Sequence, residues 1–585
     1  MVSKGRLSRI PLDGWIVLVL AALAVGAFLR LWDLSGPSLS HPEIYIPGID
    51  LIPGLSTPPP RHALLETLSW QFHQEPHPVG YYIAMLAWTS VAGTSEFALR
   101  LPAAILGIGT IWLVWRLGCR VFGRDVGAIS AALLAINGFH IFWSQAARMY
   151  AAGSFFAVLS TLALVSCLRS DKPRPGIEAI YVLSLVAGTQ SVELFWAIPF
   201  LHLAFVAIAA PAPGGVGSRD TWKPWKPAVQ RMSQLPAIAI ALASPEFVHA
   251  ALLARHGAAP DPVPQFLLDY FSYGFLFESG DAAGAFAAPS TIGAAIIALS
   301  AIALAIMGAG RRSATVEQSG AQRPLPFSIV ALASLTGVVL IVFLASISER
   351  HRGALTVFAV VPLLCAGLPV LASMTRSTLM RAAGPVIRLL DRIAPLSLLL
   401  LMLAMVPPLV FYAASAKMSV LAPRAFLAFT PFLIILVAAG LMQLGRLPIL
   451  RIAGLTGVGL LFAASCVFAH DRPHSPRDYK QIAAIITREA RPDDVVMIRS
   501  QNWADTPIFY YLAHAHYVTE QGVSAIGPGY PPRLWMMLWD WDPRPYGLGA
   551  LARSGYVEVN SRQVLGGQVI LFTHKAASGA RQAGG

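Results

Sequence analysis

The sequence predicts an all-α polytopic membrane protein of about 13 transmembrane helices, followed by a small soluble α/β domain. Three observations predict it. Hydrophobic residues make up 56% of the 585 and charged residues only 12%, a balance foreign to soluble multidomain proteins. Separate apolar runs repeatedly reach the ~18 to 20 residues a helix needs to cross a bilayer, and a helix satisfies its own backbone there. Beyond Asp471 the composition turns to that of a soluble unit of ~100 residues, a reasonable size for a single core. The alternating ~10-residue pattern of a barrel is not seen. The net charge of +13 sits on Lys and Arg in short inter-helix loops, so it reads as topology and not as a nucleic-acid surface. Cys119, Cys167, Cys365 and Cys466 stand singly, without metal or disulfide spacing, and read as small core residues.

The first span, Trp15 to Trp32, follows Lys4, Arg6 and Arg9 and lacks a cleavage motif, which places the N-terminus in the cytoplasm and the loop 33–96 outside. The apolar stretch Val79 to Ala92 has only 14 residues. If it crossed, Arg116, Arg120 and Arg124 would lie outside, so it is read as a helix along the outer interface, where Tyr81, Tyr82 and Trp88 suit the depth. Spans two to seven are then 97–117, 126–143, 149–168, 177–190, 192–209 and 235–253, with Arg169, Lys172, Arg174, Arg219, Lys223, Lys226 and Arg231 inside. A second large outer loop, 254–289, precedes spans eight to ten at 290–308, 327–346 and 354–372. Spans eleven to thirteen, 395–415, 425–444 and 449–469, complete a membrane domain over 1–471 and leave the C-terminus outside. Arg350, Arg352, Lys417 and Arg424 fall at the outer face, against the positive-inside bias, and so ask for another reason.

In 472–575, Asp478 to Ala490 has helical spacing through Ile482, Ile485 and Ile486, Asp494 to Ile498 reads as a strand, and Thr506 to Ala515 as a helix. The aromatic run Leu534 to Trp541 reads as core packing, with a membrane-surface or sugar contact as the alternative. Tyr556–Val559 and Gln568–Phe572 form a hairpin turning near Gly566-Gly567, and 576–585 reads as a disordered tail.

Chemistry concentrates in the first outer loop, where Pro37-Ser38-Leu39-Ser40-His41-Pro42-Glu43-Ile44-Tyr45 and Glu75-Pro76-His77-Pro78-Val79-Gly80-Tyr81-Tyr82 gather carboxylates, imidazoles and prolines. Ser95-Glu96-Phe97-Ala98-Leu99-Arg100-Leu101-Pro102 and Phe139-His140-Ile141-Phe142-Trp143-Ser144-Gln145-Ala146-Ala147-Arg148-Met149-Tyr150 follow. In order and spacing, these four motifs resemble the N-terminal signature of polyprenyl-phosphate-sugar-dependent glycosyltransferases of the GT-C class, whose members include protein O-mannosyltransferases and lipid A aminoarabinose transferases. The motif match spans about Leu29 to Leu168. The resemblance implies a GT-C fold with a catalytic first loop and a small periplasmic domain, in a bacterial inner membrane. It also implies a polyprenyl-phosphate sugar donor, membrane lipids as surroundings, and a lipid, glycan or protein acceptor.

Transfer of a sugar from a lipid phosphate needs a proton acceptor for the attacking group and cations or a metal for the leaving phosphate. The family's first-loop pair is usually Asp-Glu; here it reads Pro42-Glu43, and the common Glu of the fourth motif is Ala146. Three readings follow: Glu43 or Glu75 serves as base; the acceptor is already anionic and needs none; or the chain binds lipid or partners without catalysis. A transporter is the rival class, but no inverted repeat is visible and the polar residues gather at one face. His41, Tyr45, His77, Tyr81, Arg148 and Tyr150 are the substrate-binding candidates, Arg148 and Tyr150 through the family's Arg-Met-Tyr wall. Arg350, Arg352, Lys417 and Arg424 are candidates for the donor phosphate, with headgroup contact as the alternative. His41, His73, Glu75 and His77 are compatible with a divalent cation, yet loop positions lack fixed ligand spacing and surface imidazoles beside prolines is the plainer reading. Glu193, at the turn between spans five and six, and Glu246, within span seven, are ionisable groups at the membrane and therefore further candidates.

Overall fold

The computed structural model describes residues 14–50, 61–74, 77–170, 172–209, 232, 234–253, 270, 274–277, 395–415, 423–443, 448–471, 475–498, 503–519, 531–540 and 548–575. Spans eight to ten, Glu75, Arg350, Arg352, Lys417, the tail 576–585 and most of the loop 254–289 lie outside the described residues.

The described membrane part is a bundle of α1 (Gly14–Leu31), α2 (Leu64–Gln74), α3 (Val79–Ala92), α4 (Glu96–Val121), α5 (Arg124–Ala135), α6 (Gly138–Ser144), α7 (Tyr150–Leu168), α8 (Pro175–Thr189), α9 (Ala197–Ala209), α10 (Leu235–Leu253), α11 (Pro395–Ser415), α12 (Thr430–Gln443) and α13 (Pro448–Asp471). Among the described residues, α1, α4, α7 and Arg451–Asp471 of α13 are long and apolar enough to cross a membrane. Burial divides the helices by role. From Thr430 to Leu441, α12 is buried on every side, as an all-round apolar helix at the centre of a bundle must be. By contrast α1 leaves Val17, Leu20, Val25 and Phe28 exposed, a surface suited to lipid.

The expected third span is not one straight helix. It breaks by 60° between α5 and α6. The break lies at Ile136-Asn137-Gly138, where the Asn137 side chain caps α6 by accepting from the His140 amide (2.9 Å). The ending carbonyls of α5 are answered by Arg30, which donates to Leu134 and Ala135 (both 3.0 Å) and meets His140 Nδ1 at 3.1 Å. Gly138 is required by proximity, because a Cβ there would stand 1.9 Å from the Ser465 carbonyl of α13.

In the C-terminal region, helix α14 (Tyr479–Glu489) buries Ile482, Ala483 and Ile486 and is capped by Asp478, which accepts from the Gln481 amide. Strands β1 (Val495–Ile498), β2 (His516–Thr519), β3 (Arg533–Trp539), β4 (Tyr556–Val564) and β5 (Gly567–His574) form one sheet in the order β2-β1-β3-β5-β4. β1 runs parallel to β2 and β3, while β5 is antiparallel to β3 and β4. The aromatic run is thus the central strand. Trp535 and Trp539 are buried, and their indoles donate to Asp494 and Asp505 (2.8 Å each), which is core packing with its polar atoms satisfied. The helix expected over Thr506 to Ala515 shrinks to α15 (Ile508–Tyr511), because the chain turns there to supply the edge strand β2.

This sheet domain and the first loop share a core. Leu39, Ile44, Ile46 and Leu99 pack in one cluster with Tyr479, Ile482, Phe509, Trp535 and Trp539. Polar bonds pin the joint. Tyr511 Oη accepts from the Leu39 amide (2.7 Å) and donates to Glu96 (2.6 Å), and Lys480 pairs with Glu96 at 2.6 Å.

Candidate functional site

The first loop enters as a 3₁₀ turn, His41–Tyr45, with Pro42 in its opening positions, where a missing amide proton costs nothing. Ser40 and Glu43 close it from both ends: the Ser40 amide (2.8 Å) and hydroxyl (2.9 Å) donate to Glu43 Oε2. The same carboxylate receives Arg100 through Nε (3.0 Å) and Nη2 (3.1 Å), and the Ala147 amide at 2.8 Å. Five donors therefore converge on Glu43. Its side chain and that of Arg100 are each 1% exposed. Arg100 goes on to donate to the carbonyls of Leu34, Pro37 and Ser38, so one buried guanidinium ties α4 to the whole ascending limb of the loop. A carboxylate this enclosed and this fully bonded is held by the scaffold.

Beside the 3₁₀ turn lies the polar cluster that the motifs build. Arg148, 8% exposed, donates from Nη1 to the Pro42 carbonyl (3.1 Å) and more distantly to Tyr82 Oη (3.4 Å), and from Nη2 to His77 Nε2 (3.1 Å). On its other side, His77 Nδ1 pairs with Glu193. That meeting follows from how α3 begins. The Tyr81 amide donates to the Gln190 carbonyl (2.9 Å), and a Cβ on Gly80 would lie 2.5 Å from Gln190 Cβ, so the start of α3 rests directly on the turn that carries Glu193. Glu246, buried within α10, approaches the Val79 amide at 3.4 Å, where a carboxylate suits the positive end of α3.

His41 and Tyr45 bond to each other within the turn. Burial, then the charges of Arg148 and Arg477, holds the His41 imidazole down at about 4, neutral at physiological pH. Burial alone would raise the Glu193 carboxyl. The charge of His77 when protonated, its hydrogen bond and, beyond it, Arg148 outweigh it and hold the group below the usual carboxylate range. Burial likewise pushes the Tyr81 phenol up, although Arg148 opposes it. Tyr150, buried at the start of α7, accepts from Arg424 Nε at 3.0 Å.

The structure thus brings together His41, Tyr45, His77, Tyr81, Arg148, Tyr150 and Arg424, and leaves Glu43 behind them as a brace. Glu75, Arg350, Arg352 and Lys417 lie outside the described residues. Among the described residues, no three His, Cys, Asp or Glu side chains group closely enough to hold a metal. Sequence reasoning missed an aromatic wall. The Arg61 guanidinium lies 3.6 Å over the Trp70 ring, which stacks with Tyr45 and meets Tyr82 edge-on. Nothing in the sequence signals Arg61 or Trp70, which lie outside the four motifs. Arg477 reaches His41 from more than 400 residues away, a distance no local pattern spans.

Motifs and cluster together define a membrane chain resembling the GT-C class of polyprenyl-phosphate-sugar glycosyltransferases. Residues 74–213 match the family model described as dolichyl-phosphate-mannose-protein mannosyltransferase. No curated protein matches the chain. Among solved structures, it is similar to ArnT from Cupriavidus metallidurans in the apo state, at 15% identity and a TM-score of 0.41 over 95% of this chain and 98% of that one. The same protein bound to undecaprenyl phosphate gives 16% identity and a TM-score of 0.40, with the same coverage. The archaeal oligosaccharyltransferase AglB from Archaeoglobus fulgidus, in complex with an inhibitory peptide and a dolichol-phosphate, gives 14% identity and a TM-score of 0.44 over 90% of this chain and 69% of that one.

Proposed function

We propose that the chain is a membrane glycosyltransferase that moves a hexose or pentose from a polyprenyl-phosphate donor to a lipid, glycan or protein acceptor at the periplasmic face of a bacterial inner membrane. One observation carries the reading. The first, second and fourth motifs, separated by up to about a hundred residues, converge on Arg148 within the segment that matches a lipid-phosphate mannosyltransferase family. In this reading Arg148 and Arg424 meet the donor phosphate, Arg being suited to bidentate phosphate contact, with Arg350, Arg352 and Lys417 as further cations. His41, Tyr45, Tyr81 and Tyr150 line the sugar and acceptor positions. Glu43 is a positioning residue that fixes the loop against α4, and Glu75 remains a base candidate beside His77.

A second reading, lipid-phosphate binding without turnover, is favoured by Pro42 standing where the family has a carboxylate and by the saturation of Glu43. The two separate in one experiment. The purified protein in liposomes is given labelled polyprenyl-phosphate sugars and a panel of lipid, glycan and peptide acceptors. Release of polyprenyl phosphate in step with glycosylated acceptor supports transfer; donor retention without release supports the binding reading.

A further inference from the structure

Beside the cluster, the described carboxylates of the first loop are already engaged. Position 42 is a proline, and Glu43 already accepts from five donors. Glu96 is taken by Lys480 and Tyr511. Yet the cluster holds a proton acceptor whose state can be read from its neighbours. His77 stands between a group that can only donate and a group that accepts: Arg148 Nη2 faces its Nε2 at 3.1 Å, and the Glu193 carboxylate faces its Nδ1. An arginine N–H pointed at Nε2 requires a lone pair there. The ring proton then sits on Nδ1, donated to Glu193. This is the tautomer a base needs, with the carboxylate orienting the imidazole and stabilising the cation formed on protonation.

We propose that His77 is the general base of the transfer reaction and Glu193 its positioning partner, in place of the carboxylate whose position Pro42 takes. The inference rests on the glycosyltransferase reading above. It deepens that reading by naming an acceptor that enters protonated, a hydroxyl. In the resting site Arg148 occupies Nε2. An arriving donor phosphate draws that guanidinium into a stronger, charge-assisted bond and uncovers the lone pair. The acceptor oxygen then attacks the anomeric carbon, forming the new glycosidic bond as the bond from that carbon to the phosphate oxygen breaks. The electron pair of the broken bond leaves on polyprenyl phosphate, and the hydroxyl proton passes to His77 Nε2, from which solvent removes it. The Glu193 carboxyl is held lowest when His77 carries the proton, so it stays ionised beside the imidazolium that forms.

The placement of Glu193 supports the pairing independently of the ion pair. It sits on a 3₁₀ turn, Glu193–Trp196, between α8 and α9, and the bond from the Tyr81 amide to Gln190 fixes that turn against the start of α3. Both partners therefore stand on element ends joined by backbone, as a preorganised pair should.

The test uses the full chain in liposomes with labelled polyprenyl-phosphate sugars and the acceptor panel, comparing wild type with His77→Ala, Glu193→Gln, Glu193→Asp and Glu75→Gln. Loss of a general base lowers kcat by about 10²- to 10⁴-fold. His77→Ala is expected to show that loss while still binding polyprenyl phosphate, and added imidazole is expected to restore part of the rate, which a merely structural role would not allow. Glu193→Gln is expected to lower kcat and move the acid limb of the pH–rate profile to lower pH, with partial recovery in Glu193→Asp. Turnover in wild type with unchanged rate and pH profile in His77→Ala and Glu193→Gln overturns the inference and leaves the function standing. So does loss confined to Glu75→Gln. Wild type that binds donor but never releases polyprenyl phosphate removes the glycosyltransferase reading itself, and the dyad's role with it.

Discussion

Replacing Glu43 by Gln is expected to open the first loop, not to remove a proton acceptor. The carboxylate receives five donors from three parts of the chain, two of them from the Arg100 guanidinium. A glutamine amide keeps one acceptor oxygen and turns an NH₂ toward donors on the other side. It also leaves Arg100 charged in a site where its side chain is 1% exposed. Removing one partner of a buried pair costs about 3–5 kcal/mol. The three carbonyls that Arg100 retains draw the value toward the lower end, and about 3 kcal/mol corresponds to roughly a 100-fold rise in the open population. Amide exchange at Ser40 and Ala147, with protease susceptibility of the loop, reads that population directly. Unchanged protection at Ser40 and Ala147 in Glu43→Gln, with transfer abolished, would refute the reasoning and return Glu43 to the chemistry.

Gly138→Ala is expected to abolish correct packing of α6 on α13, since the added carbon meets the Ser465 carbonyl at 1.9 Å; yield of monodisperse protein in detergent reads it. Tyr511→Phe leaves the Leu39 amide without its acceptor while Glu96 keeps Lys480, at a cost of about 1–3 kcal/mol for the stranded amide, seen as faster exchange at Leu39. Acid is expected to destabilise the loop region in a defined window. The folded value of His41, about 4, lies below its ordinary 6.5, so the folded state resists protonation that the unfolded chain accepts. That contribution is complete above pH 6.5 and is lost as pH falls to about 4. Glu193, held low in the fold, adds a further loss on the acid side of the usual carboxylate range. Thermal unfolding followed across pH in His41→Asn is expected to lose the first part and keep the second.

The helical membrane frame was legible because its signal is local: apolar length marks each span, and loop arginines suggest a side. The break in the third span was half legible. Asn137-Gly138 is a turn signal, but inside an apolar run it gives way to length unless something pays for the broken backbone. That something is Arg30, a residue whose reason lies a hundred positions away. The four motifs carry His41, His77, Arg148 and Tyr150, which the fold sets close together. What they do not carry is burial. Glu43 and His77 read alike as polar residues beside prolines, and only packing separates the enclosed carboxylate from the partly exposed imidazole. Trp535 and Trp539 were read as core because a small domain has few other places for them, and Asp494 and Asp505 supply the acceptors such a reading demands.

The shared core between the first loop and the sheet domain sets an order for biogenesis. Leu39, Ile44 and Ile46 leave the ribosome more than 400 residues ahead of Tyr479, Trp535 and Trp539, the partners that bury them. Throughout synthesis and insertion of the membrane helices the loop carries apolar side chains with nowhere to go. The site matures late, when the sheet domain folds against the loop. A nascent chain stopped after α13 would therefore own most of the residues of the cluster and not yet own the surface that holds them in place.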